Sequence, residues 1–241
     1  MAEAARSGAS SEAGARALVW DLPVRLMHWT LVLAVAGAWA TQKIPGDWFR
    51  YHVWCGYTVL VVVVTRVVWG FVGTRHARFA SFVRGPAAIG RYLRSLLGGG
   101  AASTPGHNPL GALMVLLFLA ALLGQALTGL FSNDEITNTG PLYGYVSNAR
   151  SNQLSGIHQA LANVILAAIA LHVLATLGYL LVKRENLIVP MLTGSKPVAQ
   201  VPPEAIIRSS RTWLALLIAL VAATLLALVI RGAPEATLAV F

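Results

Sequence analysis

Apolar residues in this chain gather in five long, almost uncharged runs, at about residues 24–41, 52–72, 109–131, 156–182 and 213–230. Each is close to the roughly 20 residues a helix needs to cross the hydrocarbon core of a bilayer. The pattern therefore predicts an all-α integral membrane helical bundle of five spans. The joining segments are short except for 73–108, where Gly98, Gly99 and Gly100 mark flexibility, and 183–212, where Pro197, Pro202 and Pro203 prevent a long helix. Residues 1–20 are mostly small and polar, without apolar periodicity, and read as a disordered tail.

Composition strengthens this reading. Only 11% of the residues are charged, against roughly 25% in an average soluble domain. The formal net charge of +9 lies in the connections between the apolar runs and does not alternate with exposed aromatics, which argues against a nucleic-acid partner. Instead it sets topology. The connection after the second span carries Arg75, Arg78, Arg84, Arg91 and Arg94 with no acid, whereas the one after the third sets Arg150 against Asp134 and Glu135. By the positive-inside rule the first is cytoplasmic and the second external. Lys183, Arg184, Lys196, Arg208 and Arg211 place the connection after the fourth span inside as well. The N-terminus is then cytoplasmic and the C-terminus periplasmic. The lone cysteine, Cys55, excludes an intramolecular disulfide or a thiolate cluster and reads as a small apolar residue.

Four histidines lie in or at the ends of these runs. His158 and His172 are 14 residues apart in the fourth span, hence about 21 Å apart along the axis and within about 40° in azimuth. They occupy one face at two depths. With the spans oriented as above, His28 lies near the inner end of the first span and His52 at the outer end of the second. Depth pairs His28 with His172 towards the cytoplasm, with an axial offset of about 5–10 Å for tilt to absorb, and His52 with His158 towards the outside. Two imidazoles on opposite sides of a haem iron leave no open coordination position, which suits electron exchange. Two such irons about 20 Å apart would form a relay across the bilayer.

Other uses of these histidines fit less well. The spans hold no Asp or Glu of the kind that proton and cation carriers place in the membrane, and zinc needs three or four ligands converging on one point. Arg25 and Arg66 are candidate partners for haem propionates, Arg66 lying 14 residues past His52 on nearly the same face. Positive-inside anchoring and snorkelling remain open for the two arginines. His107, before Pro109, is a candidate partner for a propionate or a quinone carbonyl, or a helix-start contact; His76 reads as solvated. Trp29, Trp39, Trp48, Trp54 and Trp69 form an interfacial belt.

These residues give the chain a resemblance to the prokaryotic cytochrome b561 family, which includes cytochrome b subunits of nickel-iron hydrogenases. The matching segments are VWDLPVRLMHW at 19–29, GHNPLG at 106–111, GLFSNDEI at 129–136 with GPL at 140–142, and the pair His158 and His172. The resemblance implies a four-helix di-haem core at 21–195, with His28, His52, His158 and His172 as ligands of two haem b groups in a bacterial inner membrane. A linker and an additional span would occupy 196–241. It further implies exchange of electrons between the quinone pool and a periplasmic cytochrome c or a redox enzyme subunit. Activity as a quinone oxidoreductase, or as the cytochrome b subunit of one, would follow. A haem-free, histidine-lined transporter or channel and a membrane anchor for a soluble enzyme are the alternatives.

Overall fold

Proline is absent from the interiors of the five runs; Pro109 opens one and Pro23 directly precedes another, first-turn positions where a missing N–H does no harm. The computed structural model describes residues 15–44, 47–98, 100 and 104–234. In chain order the elements are strand β1 (Arg16–Leu18), helices α1 (Leu22–Lys43), α2 (Phe49–Val72), α3 (Phe79–Phe82), α4 (Pro86–Leu97), α5 (Pro109–Leu130), α6 (Asn148–Leu181) and α7 (Ile188–Thr193), strand β2 (Ser195–Pro197) and helix α8 (Thr212–Arg231). The five long helices α1, α2, α5, α6 and α8 are each apolar and long enough to cross a membrane. The protein is a multi-pass, all-α membrane bundle.

Three features differ from the sequence reading. The fourth helix starts eight residues before its apolar run, because Ser147 accepts the Arg150 N–H and the polar first turns remain helical. Its 34 residues span about 51 Å, against about 30 Å of hydrocarbon. The 73–108 connection contains the 12-residue helix α4, begun by Pro86, rather than a loop throughout; Gly99 lies outside the described residues. The expected tail is also too long. Arg16–Leu18 pair antiparallel with Ser195–Pro197, and Val19 and Trp20 are buried; residues 1–14 lie outside the described residues.

The chain divides into two compact units. One draws on residues up to Arg25, Trp69–Leu116 and His172–Thr212. Its centre is Asp21, only 1% exposed. One carboxylate oxygen caps α1 by accepting the Val24 N–H at 2.7 Å; the other accepts the Trp69 indole N–H at 3.1 Å and the Thr74 hydroxyl. A buried carboxylate is tolerable only when so many donors replace water. Around it, Gly194 closes α7 in the left-handed region at φ +84° and its carbonyl accepts the N–H groups of Val19 and Trp20. A side chain there would meet the Trp20 carbonyl at 2.8 Å. Buried Lys196 donates to the Thr104 carbonyl and pairs with Glu185 at 3.5 Å.

The other unit draws on Leu26–Val68, Leu117–Leu171 and residues from Trp213 onward. Here small residues let helices approach closely. A Cβ on Gly37 of α1 would lie 3.0 Å from the Cys55 Sγ of α2, and one on Gly124 of α5 would lie 3.2 Å from Leu161 of α6. The segment joining α5 to α6 is tied to both. Gly140 N–H donates to Ser132 O, Leu142 N–H donates to Leu130 O, and fully buried Ser151 donates to Phe131 O. Asn133 donates its amide to Ser151 and Asn152, at 2.6 and 2.8 Å. In α8, Ala215 is the buried residue, and Leu216, Leu220, Leu225 and Leu228 face outward.

Replacing Asp21 by Ala strips the α1 cap and leaves the Trp69 and Thr74 donors buried without an acceptor. The expected loss is about 2–4 kcal/mol, read as a lower melting temperature in detergent. Asp21→Asn, which keeps one acceptor, should lose less.

Candidate functional site

Within the unit containing Leu26–Val68 and Leu117–Leu171, the fold brings His52 of α2 and His158 of α6 together. Their ring centroids are 6.1 Å apart and the planes are inclined at 73°. Both rings are oriented by the main chain. His52 Nδ1 lies 2.9 Å from the Ala38 carbonyl of α1, and His158 Nδ1 lies 2.9 Å from the Gln125 carbonyl of α5. A carbonyl can only accept, so each Nδ1 carries the proton and each Nε2 keeps its lone pair. This is the arrangement in which a metal-ligating imidazole is normally held, its other nitrogen donating to an oxygen of the protein.

The spacing suits a shared metal. Two metal–imidazole bonds of about 2 Å plus the two ring half-widths add up to about 6 Å between centroids. The Gln125 side chain marks the same point: its amide nitrogen lies 3.0 Å from His158 Nε2, while its carbonyl oxygen is buried without a hydrogen-bond partner. Gly129 completes the cradle. A Cβ at that position would lie 2.8 Å from His158 Cε1 and 3.1 Å from Nδ1, so the ring can seat only against a residue without a side chain. The Thr128 hydroxyl, bonded to the Gly124 and Gln125 carbonyls, stands 3.4 Å from the same Nδ1. Two neutral imidazoles with tautomers fixed, the His158 Nε2 accepting from the Gln125 amide, are a donor set that fits a haem iron once that amide turns aside.

His28 and His172 fall in different compact units, the first with Leu26–Val68 and the second with His172–Thr212. His28 packs edge-on to Trp29, with centroids 5.0 Å apart, and the His172 carbonyl accepts the Thr176 hydroxyl. Arg66 is buried, 6% exposed. Arg25 donates to the Leu192 carbonyl at 2.6 Å, which ties α1 to α7. His107 lies between the rings of Trp20 and Phe82, at 4.6 and 4.7 Å. His76 is not solvated as the sequence suggested: it is buried and its Nε2 donates to the Ala205 carbonyl at 2.8 Å. Burial pushes the His76 imidazole below its ordinary value, helped by the positive charges of Arg75 and Lys196 and opposed by the Ala205 hydrogen bond and Asp21.

Sequence reasoning missed Ala38, Gln125 and Gly129. Ala38 and Gln125 act on the rings through their carbonyls, which no side-chain pattern records. Gly129 carried a signal, being one of two glycines on consecutive turns of a helix otherwise rich in leucine. In the segment joining α5 to α6, Asp134 closes a turn. Burial works against its ionised form, but hydrogen bonds from the Asn138, Ile136 and Thr137 backbone and from the Asn138 side chain prevail and hold it at about 2.

Residues 19–194 match the family model for prokaryotic cytochrome b561. A curated relative from Rhizobium leguminosarum bv. viciae, described as a probable Ni/Fe-hydrogenase B-type cytochrome subunit, is 28% identical, the match covering 74% of this chain and 87% of the relative. No solved structure matches.

The buried neutral His76 makes stability depend on pH. The unfolded chain takes up a proton near pH 6.5, whereas the folded protein resists until a lower pH. Its contribution is therefore complete above about 6.5 and declines as the pH falls towards the lowered folded value. Melting temperatures measured from pH 7.5 to 5 should fall more steeply for the wild type than for His76→Gln.

Proposed function

The chain belongs to the prokaryotic cytochrome b561 family, and from that premise we propose that it carries electrons through the membrane on two bis-histidine b haems. His52 and His158 hold the outer group. His28 and His172 hold the inner one, the pairing that helix rise and span orientation favour. The observation that carries this reading is the outer pair: two imidazoles 6.1 Å apart, both with Nδ1–H committed to a backbone carbonyl, so that each Nε2 is the unprotonated nitrogen.

A haem bound by two imidazoles supplies a one-electron centre with no position open to a small ligand. The chain's own residues do the rest. The Ala38 and Gln125 carbonyls draw on the Nδ1 protons, which raises the donor strength of the imidazoles and fixes their ring planes. Arg66, buried in α2, offers a positive charge to a carboxylate. Arg25, though engaged with Leu192 through one nitrogen, has guanidinium donors left for a second carboxylate. His107, packed against Trp20 and Phe82, is the candidate partner for a propionate or a quinone carbonyl.

The partners follow from chemistry and kinship. One side exchanges electrons with membrane quinone; the other serves a redox enzyme subunit of the hydrogenase kind, as the name of the Rhizobium relative suggests, or a periplasmic cytochrome c. The external segment between α5 and α6 is the docking face. Its many internal hydrogen bonds make it a rigid platform beside His158. The membrane is a bacterial inner membrane, with the N-terminus cytoplasmic and the C-terminus periplasmic.

A reduced-minus-oxidised spectrum should show a b-type α band, and haem extraction should give two groups per chain. His52→Ala or His158→Ala should halve the haem content, as should His28→Ala or His172→Ala at the other centre. Gly129→Val should act like His158→Ala, and Gly129→Ala, whose Cβ already meets the ring, should also lower the haem content at the outer centre. A protein purified from haem-replete cells without the α band would overturn the reading in favour of the haem-free alternatives.

A further inference from the structure

A cavity of about 300 Å³ opens where the last turn of α2 meets the segment leading into α8. Its lining includes Val72 and Gly73 on one side, Ser209 on the other, and four arginines, Arg75, Arg78, Arg208 and Arg211. All belong to one compact unit. The four arginines are exposed, and none makes an ion pair among the described residues. Arg75 is anchored by one guanidinium nitrogen to the Glu204 carbonyl. Arg211 sits at φ +47°, a backbone setting that a non-glycine residue rarely adopts, with its N–H directed to the Ser209 hydroxyl.

Four guanidinium groups around one hollow repel one another unless an anion lies between them. The position says which anion. Val72 ends one membrane-spanning helix and Thr212 begins another, so the hollow lies at the edge of the apolar zone. Phe71 and Val72, 70% and 45% exposed, carry apolar surface up to its rim. The start of the 20-residue helix α8 adds partial positive charge from its unpaired N–H groups. A ligand with a phosphate head and hydrocarbon tails satisfies both surfaces, and basic hollows at spanning-helix ends are suited to such headgroups.

We propose that this cavity binds the phosphate headgroup of an anionic phospholipid, with its acyl chains lying along the apolar surface next to Val72. Bound there, the lipid neutralises the arginines and fastens the segment before α8 to the end of α2.

The test uses the full chain purified in detergent. Cardiolipin or phosphatidylglycerol at about a hundredfold excess over its dissociation constant should raise the melting temperature by about 5–10 °C, and phosphatidylcholine should not. Native mass spectrometry from mixed-lipid nanodiscs should find an anionic phospholipid retained beyond its share of the bilayer. The triple variant R78Q/R208Q/R211Q should lose the preference for anionic lipid, and R78K/R208K/R211K should keep part of it. Equal protection by phosphatidylcholine would overturn the proposal, as would a full effect from inorganic phosphate or polyglutamate alone. Should the glutamine variant fail to fold, lipid retained by the wild type only in proportion to bilayer composition would overturn it equally.

Discussion

The hydrocarbon core of a bilayer offers no water to a buried hydrogen-bonding group, so every polar atom inside a spanning protein must find its partner in the protein itself. Much of the structure follows from this constraint. Long helices satisfy their own backbones, and the side-chain polar contacts collect where the helices end. Asp21 caps α1 while taking the Trp69 and Thr74 donors. Asn133, Ser151 and Ser155 bind the α5 end to the α6 start through reciprocal hydrogen bonds. The motifs 19–29 and 129–142 are thus largely devices for closing helix ends. The histidines they flank gain fixed positions as a result.

The same constraint explains which parts were legible in the sequence. Five apolar runs forecast five helices with boundaries mostly within three residues, because a lipid-facing helix must be apolar along its whole buried length. The closeness of the His52 and His158 rings was legible too, since rise per residue converts sequence position into depth. What failed lay outside the hydrocarbon zone. The first eight residues of α6, Asn148 to Ser155, are polar, and only the Ser147 cap marks the true start. Helix α4 was concealed by the polarity of a connection read as loop. His76 was misread because its burial depends on the Ala205 carbonyl, 129 residues away in the chain.

A membrane electron carrier has little use for titratable carboxylates in its spans, and the five long helices have none. Charge is concentrated towards the helix ends, where Arg25 and Arg75 meet backbone carbonyls. The buried Lys196 follows the same rule, neutralised by Glu185 and a carbonyl before any membrane depth is reached. The connections after α2 and α6 are therefore rich in fixed cations, whereas the segment joining α5 to α6 carries Asp134 and Glu135 and no lysine or arginine. By the positive-inside rule such an asymmetry biases the way a chain is inserted.

The two carbonyls that steer the imidazoles give the His52–His158 pair an unequal tolerance to genetic drift. Ala38 and Gln125 contribute through atoms that every amino acid possesses, so the side chains there can change over generations without erasing the hydrogen bonds. Gly129 has no such latitude, because its contribution is the absence of an atom. Among descendants of a common ancestor the orientation of the rings should outlast the residues that produce it, and the glycine should be the slower to vary.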